Sequence, residues 1–158
     1  MGKTYIGIDP GKDGAIATIK DGKIVLMKFP KIGKEYDLQA MMDIFAGFDP
    51  KNCHVGIEDV KALQGVMKAG NWSLSRGKTI LEMCCLFYKL PLTMVHSKTW
   101  QKEIWQGVDK QDNAKDTTLL AMKRLFPNQD FTKSARATKD DSGQVDALGI
   151  AEYCRRRF

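Results

Sequence analysis

An α/β fold is what this sequence predicts: a mixed five-stranded sheet flanked by helices. Three observations lead there. Strand-like runs follow one another at the start: "YIGID" ending at Asp9, "AIATIK" ending at Lys20 and "IVLMKF" ending at Phe29. Asp21-Gly22 stands between the second and third runs, and Asp-Gly is among the strongest short signals for a hairpin. Further along, apolar positions recur at helical and then at strand spacing, in alternation. An antiparallel meander followed by alternating strands and helices gives one mixed sheet with helices packed over it.

Taken in order, the first strand has Ile6 and Ile8 on one side. Leu38, Met41, Met42, Phe45 and Phe48 then recur at helical spacing, and Asp49-Pro50 ends that helix. "HVGIEDV" reads as a buried strand carrying a second acid, Glu58. Residues 61–71 contain Gly65 and Gly70 and no clean period, which predicts a loop or a frayed helix entry. A long helix is expected from about Trp72 to Tyr88, with Leu74, Ile80, Leu81, Cys84 and Phe87 inward, and Pro91 stops it. "LTMVH" is a fifth strand, and two helices follow, one around Trp100 and one from Ala114 to Phe126. Residues 128–143 are polar and read as a mobile connection. The last helix runs from about Gln144 to Arg157, with Val145, Leu148, Ala151 and Cys154 inward.

A chain of 158 residues suits a single domain, residues 1–158, large enough for a core without disulfide staples. No apolar run approaches the roughly 20 residues that a bilayer crossing needs. "MGKTYIGID" passes straight into a strand without a signal-peptide pattern. The expectation is a cytoplasmic protein with no membrane partner. Cys53, Cys84, Cys85 and Cys154 form no CxxC pair and no zinc spacing, so all four are expected as free thiols. His54 and His96 flank strands, and neither reads as a catalytic base. The net charge of +6 favours a polyanionic partner, because Lys and Arg displace condensed counterions from a phosphate backbone.

Three acids stand where a core would take Val or Leu. Asp9 ends the first strand, Glu58 ends the fourth, and Asp146 lies between Val145 and Ala147-Leu148 in the last helix. An isolated ionised carboxylate is costly in apolar surroundings. Each acid has a plainer explanation: Asp9 as a cap on the Pro10-Gly11 turn, Glu58 as a partner of a lysine with Asp59 as the working acid, Asp146 as a dipole-favoured acid of a first helical turn. A shared site accounts for all three at once. If the first and fourth strands are neighbours, Asp9 and Glu58 meet at their ends, and a helix packed beside them adds Asp146. Oxygen-only ligands suit Mg²⁺, with Mn²⁺ able to substitute. Two such ions about 4 Å apart form the clamp that cleaves phosphodiesters, one activating water and the other stabilising the leaving oxygen.

The stretches "GIDPGKDGAIA", "VGIEDV" and "DDSGQVDALGIAEY" resemble the acidic motifs of RuvC-type Holliday junction resolvases, members of the RNase H-like superfamily, in order and spacing over nearly the whole chain. The resemblance implies an RNase H-like fold and a homodimeric, Mg²⁺-dependent endodeoxyribonuclease that nicks opposite strands of a four-way DNA junction. It implies Asp9, Glu58 and Asp146 as metal ligands. Lys102 in "WQKEIWQG" and Lys115 in "NAKDTTLLAMKRLFP" fall where the family carries basic residues near the scissile phosphate. An ammonium there would hold a phosphate or neutralise developing charge.

Two departures stand out. The family often has Asp or His three residues before the last Asp, where this chain has Gly143. Some resolvases carry "DD" upstream, which implies Asp141 as the fourth ligand, with Asp140 as the alternative. Bacterial members also place an aromatic wedge shortly after the strand-four acid. Here the third residue after Glu58 is Lys61, which leaves Leu63, Met67 or Trp72 for that part, or no wedge at all.

Symmetric cutting requires two sites related by a two-fold axis, and the helix from Trp72 to Tyr88 offers apolar residues on more than one side for such an interface. The same chemistry would also serve flaps, forks or RNA–DNA hybrids. A junction-binding protein that does not cut is a second rival. An ATP-binding relative of actin or sugar kinases needs two such domains, which 158 residues do not hold. Trp100 and Trp105 read as core, with stacking on bases as the alternative, and the arginines of "RRR" suit the negative end of the last helix and offer charge to DNA.

Overall fold

The computed structural model describes residues 2–11, 13–59, 69–132 and 137–158, and of residues 69–74 the backbone alone. β1 (Thr4–Asp9), β2 (Ala15–Lys20) and β3 (Lys23–Lys28) form the expected antiparallel meander. Asp21 and Gly22 turn between β2 and β3 with φ of 49° and 76°, the two positive values a tight right-twisted hairpin requires. A small hairpin, β4 (Lys31–Ile32) and β5 (Glu35–Tyr36), follows around Gly33. It escaped the sequence reading because two-residue strands have no period. β6 (Cys53–Glu58) lies parallel to β1, and β7 (Leu92–Val95) parallel to β6. The five-stranded order is β3-β2-β1-β6-β7, the mixed sheet expected.

The helices are α1 (Leu38–Ala46), α2 (Ala69–Phe87), α3 (Ser97–Ile104), α4 (Ala114–Leu125) and α5 (Ser142–Arg157). Asp37, His96, Asn113 and Asp141 cap the N-termini of α1, α3, α4 and α5 by accepting a backbone N–H. α2 begins earlier than expected, at Ala69. Phe87, expected inward, is 69% exposed beside Met83 and Leu86. Among the described residues no helix is long and apolar enough to cross a membrane.

Strand alternation gives the sheet two different faces. Ile6, Ile8, Ile16, Val55 and Ile57 pack with Phe29, Met41, Phe45, Leu81 and Cys85 beneath α1 and α2. Ala15, Ala17 and Ile19 pack with Trp100, Met122, Leu148 and Ala151 beneath α3, α4 and α5. Phe131 belongs to this second core at 1% exposure and accepts a backbone hydrogen bond from Asp141 N at 2.8 Å. The connection before α5, expected to be mobile, is therefore pinned on both sides of the residues left undescribed. All four cysteines are free and buried.

Candidate active site

Register sets the site. Ile8 of β1 stands beside Ile57 of β6 in parallel pairing, so the next residues, Asp9 and Glu58, leave adjacent strand ends. Ile8 and Ile57 go into the α1/α2 core. By alternation Gly7, Asp9, Gly56 and Glu58 belong to the other face, under α5.

Glycine lets the helix come that close. A methyl group at Gly7 would collide with Ala147 O and Ala151 N of the α5 backbone, and one at Gly56 would meet Ile150 Cγ2 at 3.0 Å. Asp146, Ile150 and Cys154 recur every four residues and form one stripe of α5. Ile150 and Cys154 both press on Gly56, so Asp146 lies one turn further on, toward the strand ends that carry Asp9 and Glu58.

The electrostatics agree with that placement. Burial pushes the Asp9 carboxyl up to about 6, and the charges of Glu58 and Asp141 push the same way; the Gly11 N–H, 2.9 Å from Oδ1, and the Lys28 ammonium oppose. Burial pushes Asp146 further, to about 8, reinforced by Asp9 and Glu58 and opposed by Lys115. The turn cap suggested for Asp9 is thus real, and the same carboxyl also belongs to the acid group. Asp146 lies beyond the first turn of α5, so dipole stabilisation there does not explain it.

Glu58 Oε1 accepts a hydrogen bond from Trp100 Nε1 at 3.2 Å, and Trp100 is fully buried. Trp100 is a core residue, as expected, and also a donor that fixes Glu58. Asp59, the alternative acid, takes Lys78 at 2.6 Å.

Asp141, 2% exposed, caps α5 by accepting from Gln144 N at 3.1 Å and is ion-paired with Lys28 at 3.0 Å. A methyl group at Gly143 would meet Asp141 Oδ1 at 3.2 Å and Asp9 Oδ2 at 3.3 Å, which puts those two carboxyls on one small patch. It would also meet Asp13 O at 2.6 Å, so the position where an Asp or His was sought has no room for a side chain. Asp140 turns to Lys123 at 2.8 Å and pairs with Thr132 across an isolated bridge. Of the two neighbours, Asp141 is the one beside Asp9.

Lys115, in the first turn of α4, is exposed, and its charge is felt at Asp146. Lys102 lines a surface groove of about 290 Å³ with Lys98, Trp105 and Lys110, and no described hydrogen bond or ion pair ties it to the acids. The wedge candidates Leu63 and Met67, and the Trp72 side chain, lie outside the described residues. The terminal arginines are already engaged. Arg155 and Arg156 pair with Glu152 at 2.7 and 2.8 Å, and Arg157 pairs with Glu103 at 2.6 Å. Glu152 is 1% exposed; against burial, which pushes its carboxyl up, the two guanidiniums bring it below its ordinary value.

Asp9 and Asp146, which keep their protons to unusually high pH, are donors suited to a hard divalent cation, whose charge offsets both burial and repulsion. The residues fit in kind: all donors are carboxylate oxygens. Among the described residues, however, no three Asp, Glu, His or Cys side chains stand close enough to share an ion.

Sequence reasoning missed two members of this neighbourhood, Lys28 and the donor role of Trp100. Lys28 could have been found by drawing the hairpin register out from Asp21-Gly22. Ala15 pairs with Lys28 on one side and with Asp9 on the other, so the lysine shares a row with the acid.

No family model matches this chain, and no curated protein matches it significantly. Solved structures do match. The chain is similar to RuvC of Thermus thermophilus in complex with a Holliday junction substrate, with a TM-score of 0.65 and 14% identity, over 98% of this chain and 95% of that one. A second Thermus thermophilus RuvC structure matches with a TM-score of 0.59 and 14% identity, over 97% and 95%. The fold is that of RuvC, RNase H-like.

Proposed function

We propose that residues 1–158 form one nuclease domain that hydrolyses phosphodiesters in branched DNA with Mg²⁺, resolving four-way junctions as a homodimer. One observation supports the reading: Asp9 and Glu58 leave the adjacent ends of β1 and β6, Asp9 feels the charges of Glu58 and Asp141, and Asp146 of α5 feels those of Asp9 and Glu58, in a fold shared with RuvC over nearly its whole length. Asp9, Glu58 and Asp146 would hold Mg²⁺ or Mn²⁺, two ions with Asp141 as the fourth ligand. Bound there, the ions would activate water and stabilise the leaving oxygen.

The chain's own contributions are separable. Burial and the repulsion of neighbouring acids keep Asp9 and Asp146 ready to exchange protons for a cation. Trp100 holds Glu58 in one orientation. Lys115, exposed and with its charge felt at Asp146, would bind a phosphate oxygen, and Lys102, further along, would hold the strand. The exposed Met83, Leu86 and Phe87 on α2 offer an apolar surface for a second copy, which supports the dimer. The substrate follows the likeness to a RuvC bound to a Holliday junction.

Cleavage of a labelled panel of four-way junctions, flaps, forks, RNA–DNA hybrids and linear duplex, with Mg²⁺ and with chelator, tests the proposal. Paired, symmetric nicks in the junction are expected, at least about tenfold faster than on linear duplex. Preference for a flap or hybrid would move the substrate and leave the chemistry. Tight binding without cleavage in Mg²⁺ or Mn²⁺ would overturn it.

A further inference from the structure

Lys28 is the last residue of β3, and its place is set by pairing rather than by a flexible loop. Asp9, Ala15 and Lys28 stand in one row across β1, β2 and β3, with side chains on the α5 face. The small Ala15 between them leaves space over which the lysine stem can reach. Its ammonium donates to Asp141 Oδ1 at 3.0 Å and to the carbonyl oxygen of Asp13, and its charge is felt at Asp9. A cation fixed in this way stands within the acid group itself, unlike Lys115 and Lys102, which are exposed on helices.

We infer that Lys28 is a tethered cation of the acidic site, holding Asp141 in the protein without a divalent ion and competing with that ion for the same carboxylate. The inference rests on the metal-dependent reading above. One carboxylate is occupied by a lysine and capping duty at once. An ion that takes Asp141 must displace the ammonium, or bind against its repulsion. Lys28 is a positioning residue by this account, acting through Asp141, and it sets how much divalent metal the site needs.

Mn²⁺ is the probe, titrated by calorimetry into the DNA-free protein. Lys28→Met is expected to bind Mn²⁺ at least about tenfold more tightly than wild type, since a like charge is removed from the site. Lys28→Arg should stay near wild type. In an Asp141→Asn background, Lys28→Met should change affinity little. Melting with and without Mn²⁺ is the second readout: Lys28→Met should melt lower than wild type without metal and gain more from it. Lys28→Gln repeats the test with a neutral hydrogen-bonding side chain should the methionine variant fold poorly. Unchanged or weaker Mn²⁺ affinity in folded Lys28→Met and Lys28→Gln, with wild type binding, would overturn the inference and leave the metal reading standing. Absence of Mn²⁺ binding in wild type and variants alike would overturn both.

Discussion

The two faces of one strand, β1, do opposite work. Ile6 and Ile8 are fully buried against α1 and α2, where burial of apolar surface is the whole purpose. Gly7 and Asp9, alternating with them, meet α5, where one residue gives up its side chain so that a helix can approach and the next carries a carboxyl that burial pushes to about 6. The same division holds on β6, with Val55 and Ile57 on the packing side and Gly56 and Glu58 on the other. A strand that alternates between large apolar residues and glycine or acid uses one face for stability and leaves the other for the site proposed above.

Substitutions on neighbouring residues separate the faces. Asp9→Asn, Glu58→Gln and Asp146→Asn should each lower junction cleavage at least roughly a hundredfold while leaving junction binding, measured by gel shift on the same preparations. Ile8→Ala, one residue from Asp9, should do the reverse: about 2–5 kcal/mol of stability lost by denaturant melting, with activity per folded molecule kept. Cleavage loss without stability loss in Ile8→Ala would erase the distinction. Gly7→Ala should cost roughly 1–3 kcal/mol or more, because its methyl meets helix backbone that cannot turn aside. Gly56→Ala should cost less, since its methyl meets side-chain atoms of Cys154 and Ile150 rather than helix backbone.

The acid face also predicts how stability follows pH. Asp9 and Asp146 have folded values, about 6 and about 8, above the ordinary carboxylate range. Through these two groups the folded protein binds more protons than the unfolded chain between about pH 4 and 8, so their contribution to stability without metal should fall as pH rises through that window, against a smaller opposite contribution from His54, whose burial lowers its value. Thermal melts with chelator should show the fall, Asp146→Asn should flatten its upper part, and Mg²⁺ should restore stability most at pH 8. The smallest effect expected is that of Trp100→Phe, which keeps the buried ring and removes the donor to Glu58. About a tenfold loss of rate with near-normal melting would mark Trp100 as an orienting residue.

The outline of this molecule was legible because its signals are local. The Asp21-Gly22 turn, the alternation in β1 and β6 and the helical spacing of α1 each lie within a few residues. Asp9 and Glu58 stood out for the same reason, as carboxyls ending apolar strands. Asp146 was legible as an acid in a buried helix, but its distance from Asp9 depended on the crossing of α5, which Gly7 and Gly56 determine across the sheet. Lys28 looked like an ordinary strand-end lysine, and only the pairing through Ala15 brings it to the acids. The terminal arginines read as partners of the helix dipole and of DNA; Glu152, the buried partner of Arg155 and Arg156, precedes them by three and four residues, but its burial depends on the tertiary fold. Phe131 was hidden in a polar stretch whose composition outweighed its one aromatic ring.

The central claim is that the α5 face of the sheet is a divalent-cation site. An anomalous-scattering map from crystals soaked in Mn²⁺ tests it most directly. The account predicts density within coordination distance, about 2.1 Å, of oxygens of Asp9, Glu58 and Asp146, with Asp141 joining as Lys28 withdraws. No density among these carboxylates at saturating Mn²⁺, with Lys28 still on Asp141, would contradict it.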